Sequence, residues 1–336
     1  MTTRDKGLAL VVAVIWGLNF LAVRLALDAF PPFFLAALRY LLVAVPVVLL
    51  VPRPRVPWRW LVGYGLGFGV LQFGMLFLAI DLGMPTGLSS VVLQMGAPMA
   101  IALGALLLRE RPSPHGVLGA GLAVGGLGLI GWERADGGGP FLPFVLTLFA
   151  ALGWALGSLS SRLAQPDSAL RFALWMAVVP PAPLLALSAV MEGPAAGWDA
   201  TVQAVRTAAV SPLLALAYIV VLGTVVSAAL WSALLKRYPA GVVAPFSMLV
   251  PVVGMAAAWA VLGERPSPWS LVGAAVVLVG VAVGMRRRAP MPGHPTTGRD
   301  TGCPVRFGAW GPSTTPSRST EPSSTGGASR RSSSPT

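Results

Sequence analysis

Residues 109–114 read Arg-Glu-Arg-Pro-Ser-Pro, and residues 263–268 read Gly-Glu-Arg-Pro-Ser-Pro. The shared pentapeptide recurs at an offset of 154, and Gly87 and Gly241 keep the same offset. Upstream of each string a proline interrupts an apolar run, Pro98 in one case and Pro251 in the other. Downstream lies a glycine-rich run, GVLGAGLAVGGLGLIG or LVGAAVVLVGVAVG. Trp16 with Arg24 and Trp154 with Arg162 are both eight apart, here at an offset of 138, so the two copies differ in loop length. A Gly/Ala/Leu-rich stretch can repeat by coincidence. A charged, proline-rich string at matching helix ends cannot be dismissed that way, and the chain reads as an internal duplication.

Composition places both copies in a bilayer. Of 336 residues 55% are hydrophobic and only 11% charged, with a mean hydropathy of +0.75. A soluble domain carries about 25% charged residues, so this chain lacks the polar surface to face water. Crossing a hydrocarbon core about 30 Å thick takes roughly 20 apolar residues in a helix. Ten stretches qualify: 7–28, 32–51, 60–80, 86–108, 114–132, 140–161, 169–191, 211–235, 240–262 and 268–285. A barrel would show short alternating segments instead. The first stretch is long for a signal core and is followed by no small-residue cleavage pattern, so it reads as a retained helix. The fold class is an all-α membrane protein of ten transmembrane helices.

The net charge of +12 is a topological bias, and nucleic acid is not an expected partner. With the amino terminus inside, the cytoplasmic segments hold fourteen Lys and Arg and the outer loops only Arg134, Arg206 and Arg265. That asymmetry sets orientation, and both termini are expected in the cytoplasm. Beyond Arg288 the chain turns to Ser, Thr, Pro, Gly and Arg, a composition that buries too little to order itself. The expected organisation is therefore 1–132 as one five-helix repeat, 133–288 as the second, and 289–336 as a disordered cytoplasmic tail. Five spans per repeat force the second copy to enter the membrane upside-down. Inverted repeats of this kind are an architecture of secondary transporters, in which two bundles rock about a shared site. The outer connection around 192–209 is read either as a short interfacial helix using Trp198, Val202 and Val205 or as a plain loop.

Several motifs carry a family likeness. Trp16-Gly-Leu-Asn-Phe20, Leu38-Arg-Tyr40, Gly83-Met-Pro-Thr-Gly87 and the doubled Glu-Arg-Pro resemble the EamA branch of the drug/metabolite transporter superfamily. The tract from Arg53-Pro-Arg-Val-Pro57 to Leu88-Ser-Ser-Val-Val-Leu-Gln94 looks particularly like the O-acetylserine/cysteine exporters of that branch. The resemblance covers about 7–288. It implies two inverted five-helix repeats, a central cavity, and export of small amino-acid-like metabolites across a bacterial inner membrane. A broader drug or amino-acid exporter of the same superfamily is the alternative substrate class.

Polar residues inside the membrane are functional candidates by default, because lipid tolerates them only against protein or water. Arg39, about seven residues into the second span, offers a guanidinium that can grip a carboxylate with two parallel bonds. The alternatives are snorkelling to headgroups or pairing with Asp81 or Asp28. Trp16 and Asn19 share a turn of the first span, and Trp154 and Ser158 form the equivalent surface of the sixth. Gln72 and Gln94 are mid-membrane amides, either substrate ligands or interhelical bonds. Tyr218, with Thr224, Ser227 and Trp231, lies along one side of the eighth span. Pro98 and Pro251 each remove a backbone bond and are hinge candidates.

Gly65, Gly67 and Gly69 cannot share one helix face, whereas Gly119, Gly121, Gly125, Gly126 and Gly128 suit close helix approach. Glu110 and Glu264 are read as terminal ion pairs at turns. No carboxylate sits mid-span, so coupling through a buried titratable group is not indicated. Membrane-enzyme chemistry would want a buried Ser with His or Lys, or paired acids, and the spans offer none of these. No catalytic residue, cofactor or metal is expected, and with a single cysteine, Cys303, no intrachain disulfide either.

Overall fold

The computed structural model describes residues 1–138 and 140–285. Among them there are helices and turns and no strand. Among the described residues nine helices are long and apolar enough to cross a membrane: Thr3–Ala26, Pro32–Leu50, Trp58–Asp81, Thr86–Leu108, Pro114–Gly137, Phe141–Ala164, Ala169–Met191, Val210–Arg237 and Ala244–Leu262. Ala240–Val243 leads directly into the ninth. The tenth, Pro268–Gly284, has 17 residues, about 26 Å at 1.5 Å per residue. All ten expected spans are present, and they keep their ordinal names below. The expected tail, 289–336, lies outside the described residues.

Two pairs of irregularities match between the halves. The third span contains a π-helical stretch, Gly65–Gln72, and the eighth another, Val221–Val226. The fourth span tightens to a 3₁₀ turn at Leu93–Met95, and the ninth does so at Ala244–Met248. Proline explains the second pair. Pro98 and Pro251 have no N–H to offer the carbonyl four residues back, which belongs to Gln94 and Ser247 respectively, each within its 3₁₀ segment.

The duplicated strings build one and the same corner. Arg109 (φ 53°) and Gly263 (φ 67°) end their helices in the left-handed region, where Gly263 is unstrained and Arg109 is not. The Glu110 and Glu264 amides each donate to a carbonyl six residues back, Gly104 and Ala258, at 3.3 Å. Ser113 then caps the next helix by accepting from the Gly116 amide at 3.0 Å, and Ser267 accepts from the Ser270 amide at the same distance. Pro114 and Pro268 stand at the first helical position, where the missing N–H costs nothing.

Packing follows the duplication as well. The first span packs on the eighth and ninth, and the sixth on the third and fourth. The second packs on the seventh, the fourth on the ninth, and the fifth on the tenth. Exchanging the two halves leaves this pattern unchanged. The fifth–tenth contact is made by glycines: a Cβ at Gly126 would stand 2.6 Å from the Gly273 carbonyl oxygen, and one at Gly280 2.6 Å from that of Gly119. Gly121, Gly125 and Gly128 face open space, so only two of the five expected glycines mediate helix approach. The triplet in the third span is packed at all three positions. A Cβ at Gly65 or Gly69 would strike Val179 or Pro180 of the seventh span, and one at Gly67 the Gly157 amide of the sixth. The triplet shares no single face because this span is wedged between two neighbours. The connection around 192–209 folds as a helix, Ala196–Arg206, with Trp198 and Val205 exposed and Gly197 against Phe34.

Candidate functional site

Arg39 organises the interior. It is 3% exposed, so it does not snorkel. Asp28 is held at 2.8 Å by Arg24 one turn away, and Arg39 turns to the eighth span: its Nε donates to Thr224 Oγ1 at 2.9 Å. The same hydroxyl donates to the Ile219 carbonyl at 2.8 Å. That acceptor lies five residues back, the spacing of a π turn, so the π-helical stretch aims Thr224 at Arg39. The guanidinium carbon sits 4.0 Å from the centre of the Phe73 ring, and Phe73 packs edge-on against Tyr40 at 5.9 Å. Cation–π contact steadies a buried charge without neutralising it. Arg39 Nη1 has no hydrogen-bond partner in the protein.

Asn19 approaches the same turn from the first span. It is buried, and its Oδ1 likewise lacks a protein partner. The oxygen lies directly over Gly223, where any Cβ would collide with it. Gly223 is adjacent to Thr224, so an unpartnered donor and an unpartnered acceptor flank one π turn. Tyr218 ties the eighth span to the first by donating to the Ile15 carbonyl at 3.0 Å. Trp16 closes this seam against Trp231, with ring centres 5.0 Å apart. Trp16, Asn19, Arg39 and Tyr218 are therefore brought together by the eighth span.

The other candidates occupy the adjoining seam of the third, fourth and sixth spans. Gln72 is buried with Oε1 unpartnered and directly precedes Phe73. Trp154 lies on Gly96, where a Cβ would come within 2.7 Å of its ring, and Gln94 sits in the 3₁₀ turn just before it. Ser158 is half-buried one turn along from Trp154. Phe68 links the two seams, packing on Gly157 and on Phe73 at 5.6 Å. Pro98 and Pro251 are both buried. Sequence reading passed over Gly223, Phe73 and Tyr40 as site-formers, since nothing in an apolar run marks the ring that will face a cation.

The acidic corners differ from expectation. Glu110 does form an ion pair, with Arg162. Glu264 instead accepts from the backbone amides of Thr86 at 2.9 Å and Gly87 at 3.0 Å, capping the fourth span. Glu192 does the same for the second span, accepting from Phe33 at 2.6 Å and Phe34 at 3.1 Å. Carboxylates are favoured there by the unpaired amides and the positive end of the helix dipole.

Duplication, irregular helix turns and a buried cation are features a transporter family would share, and the comparisons agree. The EamA-like transporter family model matches residues 7–132 and again 141–285. The chain belongs to that family. It is accordingly a transporter and not an enzyme. A protein of Salmonella typhimurium named "Probable amino-acid metabolite efflux pump" is 39% identical over 84% of this chain and 95% of its own length. One of the same name from Escherichia coli is 37% identical over the same shares. A Streptantibioticus cattleyicolor protein named "Probable terminal-alkyne amino-acid exporter" is 25% identical over 85% of this chain and 97% of its own. A solved crystal structure aligns with a TM-score of 0.54 at 20% identity, over 84% of this chain and 96% of that one, a likeness of fold alone.

Proposed function

We propose that this EamA-family member exports small amino-acid-like metabolites of the O-acetylserine/cysteine type from a bacterial cytoplasm by alternating access. The observation that carries the reading is the pair of unsatisfied groups beside the π turn of the eighth span. Arg39 Nη1 needs an acceptor and Asn19 Oδ1 needs a donor. A zwitterionic amino acid brings a carboxylate for the first and an ammonium for the second, which an apolar drug does not. The names of the relatives support the same class. Trp16 with Trp231 provides an apolar wall and Tyr218 anchors it, while Gln72, Gln94, Trp154 and Ser158 are the substrate-facing candidates of the adjoining seam.

The threading is read as two inverted repeats, 1–132 and 133–288, with both termini cytoplasmic. Three features support it: the half-exchangeable packing, the twofold family match, and the sidedness of long-range pairs. Glu264–Thr86 and Glu192–Phe33 join ends that up-and-down threading places outside. Glu110–Arg162 and Asp5–Arg237 (3.1 Å) join ends that it places inside.

The test is uptake of labelled O-acetylserine into inverted membrane vesicles, with and without an imposed proton gradient. Saturable uptake above control vesicles, lost in Arg39→Ala and Asn19→Ala, is the expected result. Uptake that ignores both substitutions overturns the site, and uptake of unrelated cationic drugs alone overturns the substrate class.

A further inference from the structure

The duplicated corners share a backbone and differ in what their carboxylates hold. The two carboxylates stand at opposite ends of the fourth span, since Glu264 sits on Thr86 and Glu110 follows Leu108. At the Glu264 end the start of the fourth span is packed in, beside a cavity lined by Gly87, Leu88, Arg134 and Glu264. Residues 86–92 are all buried, and Glu264 itself is half-buried against the Thr86 and Gly87 amides. At the Glu110 end the equivalent residues are more exposed. Over 242–249 only Val243 is buried, and 109–114 is exposed throughout. Leu88 is 3% exposed and its repeat partner Val242 45%. The string Pro85-Thr-Gly87, which receives Glu264, has its own partner in Pro239-Ala-Gly241, where the ninth span begins.

We infer that the two Glu-Arg-Pro corners are reciprocal latches. Glu264 clamps the start of the fourth span when the outer side is closed, and Glu110 clamps the start of the ninth when the inner side is closed. The structure is the state with the outer latch made. In it Glu110 is parked on Arg162, a pair whose side chains are each about half exposed and so weakly held. Arg162 belongs to the sixth span, so the parked pair joins the two halves at the Glu110 end through half-exposed side chains alone. When the bundles rock, Glu264 leaves two amides and Glu110 gains two, so the exchange is close to balanced. A transporter needs that balance, because a strong preference for either state would trap it. Coupling the loss of one cap to the gain of the other also disfavours a state open on both sides.

This inference rests on the alternating-access reading, and its test reads conformation directly. Single cysteines at Leu88 and Val242, in a full-length Cys303→Ser background, are labelled in membranes with a maleimide from each side. Glu264→Gln removes the charge from the outer latch, so its rate ratio should change roughly tenfold, the weight of one charge-assisted hydrogen bond. Labelling at position 88 rises and labelling at position 242 falls. Arg162→Gln, which frees Glu110 and leaves the outer corner untouched, shifts both positions in the same directions and guards against a folding defect in the first variant. A rise at position 88 with position 242 unchanged overturns the latch exchange, leaving Glu264 a local cap. No change at either position in both variants overturns it equally. Failure of the transport reading appears elsewhere, as absence of O-acetylserine uptake by the unaltered protein.

Discussion

Arg39 Nε and Thr224 Oγ1 stand 2.9 Å apart across 185 residues of sequence, and the hydroxyl reaches that position because the eighth span winds as a π-helix there. The bond fixes one edge of the guanidinium and leaves Nη1 unpaired. Thr224→Val keeps the shape and deletes the acceptor. The expected outcome is export with an apparent KM raised about tenfold, one charge-assisted hydrogen bond, at unchanged protein level in the membrane. Arg39→Lys should be worse, because an ammonium neither forks to a carboxylate nor stacks on Phe73 as a plane does. Vesicle uptake across a substrate series separates the two.

Asn19 is the sharper chemical probe. Asn19→Asp places a carboxyl group over the turn that carries Thr224. That carboxylate competes with substrate for Arg39, so export should fall to background while the protein stays folded. Asn19→Ala, which merely removes the acceptor, should retain residual export. Equal activity of the two variants would show that Asn19 and Arg39 do not share a ligand.

Glycine substitutions test the helix packing without touching the polar site. Gly126→Ala forces a methyl against the Gly273 carbonyl, and Gly280→Ala does so against that of Gly119. Overpacking of this kind costs about 1–3 kcal/mol, visible as a lower Tm in detergent. Gly125→Ala, one residue from the seam and in open space, should leave Tm unchanged or slightly raised, since alanine favours helix.

Glu192 links the end of the seventh span to the start of the second. Glu192→Ala strips both amides of their acceptor and is expected to cost about 1–2 kcal/mol. Glu192→Gln, keeping one acceptor oxygen, should recover part of that in the same thermal measurement.

The threading has its own reporter. Cysteines at Pro112 and Pro266, one in each duplicated corner, should react with an impermeant thiol reagent from opposite sides of the membrane. Labelling of both from one side would falsify the inverted repeat and with it the latch exchange.

Much of this molecule is written locally in the sequence. The ten spans follow from apolar length, and the paired 3₁₀ turns follow from Pro98 and Pro251. The matched corners follow from a string whose serine, proline and glutamate chemistry is local. Other features were out of reach. A π turn at 221–226 leaves no periodic trace in a uniformly apolar run, so Thr224 looked like one of several polar residues on that face. The glycines of the fifth span could not be sorted into packed and open ones, because orientation toward the tenth span depends on both helices together.

The sequence alone determined what is encoded over a few residues: which stretches are apolar enough to span, where they break, and that the second half repeats the first. Tertiary structure decided the partners. Glu110 and Glu264 sit in the same pentapeptide, yet one meets a guanidinium and the other two backbone amides. A side chain's local backbone is set by its neighbours in the chain, but what it bonds to is set by which helix end the packing of ten spans brings within 3 Å.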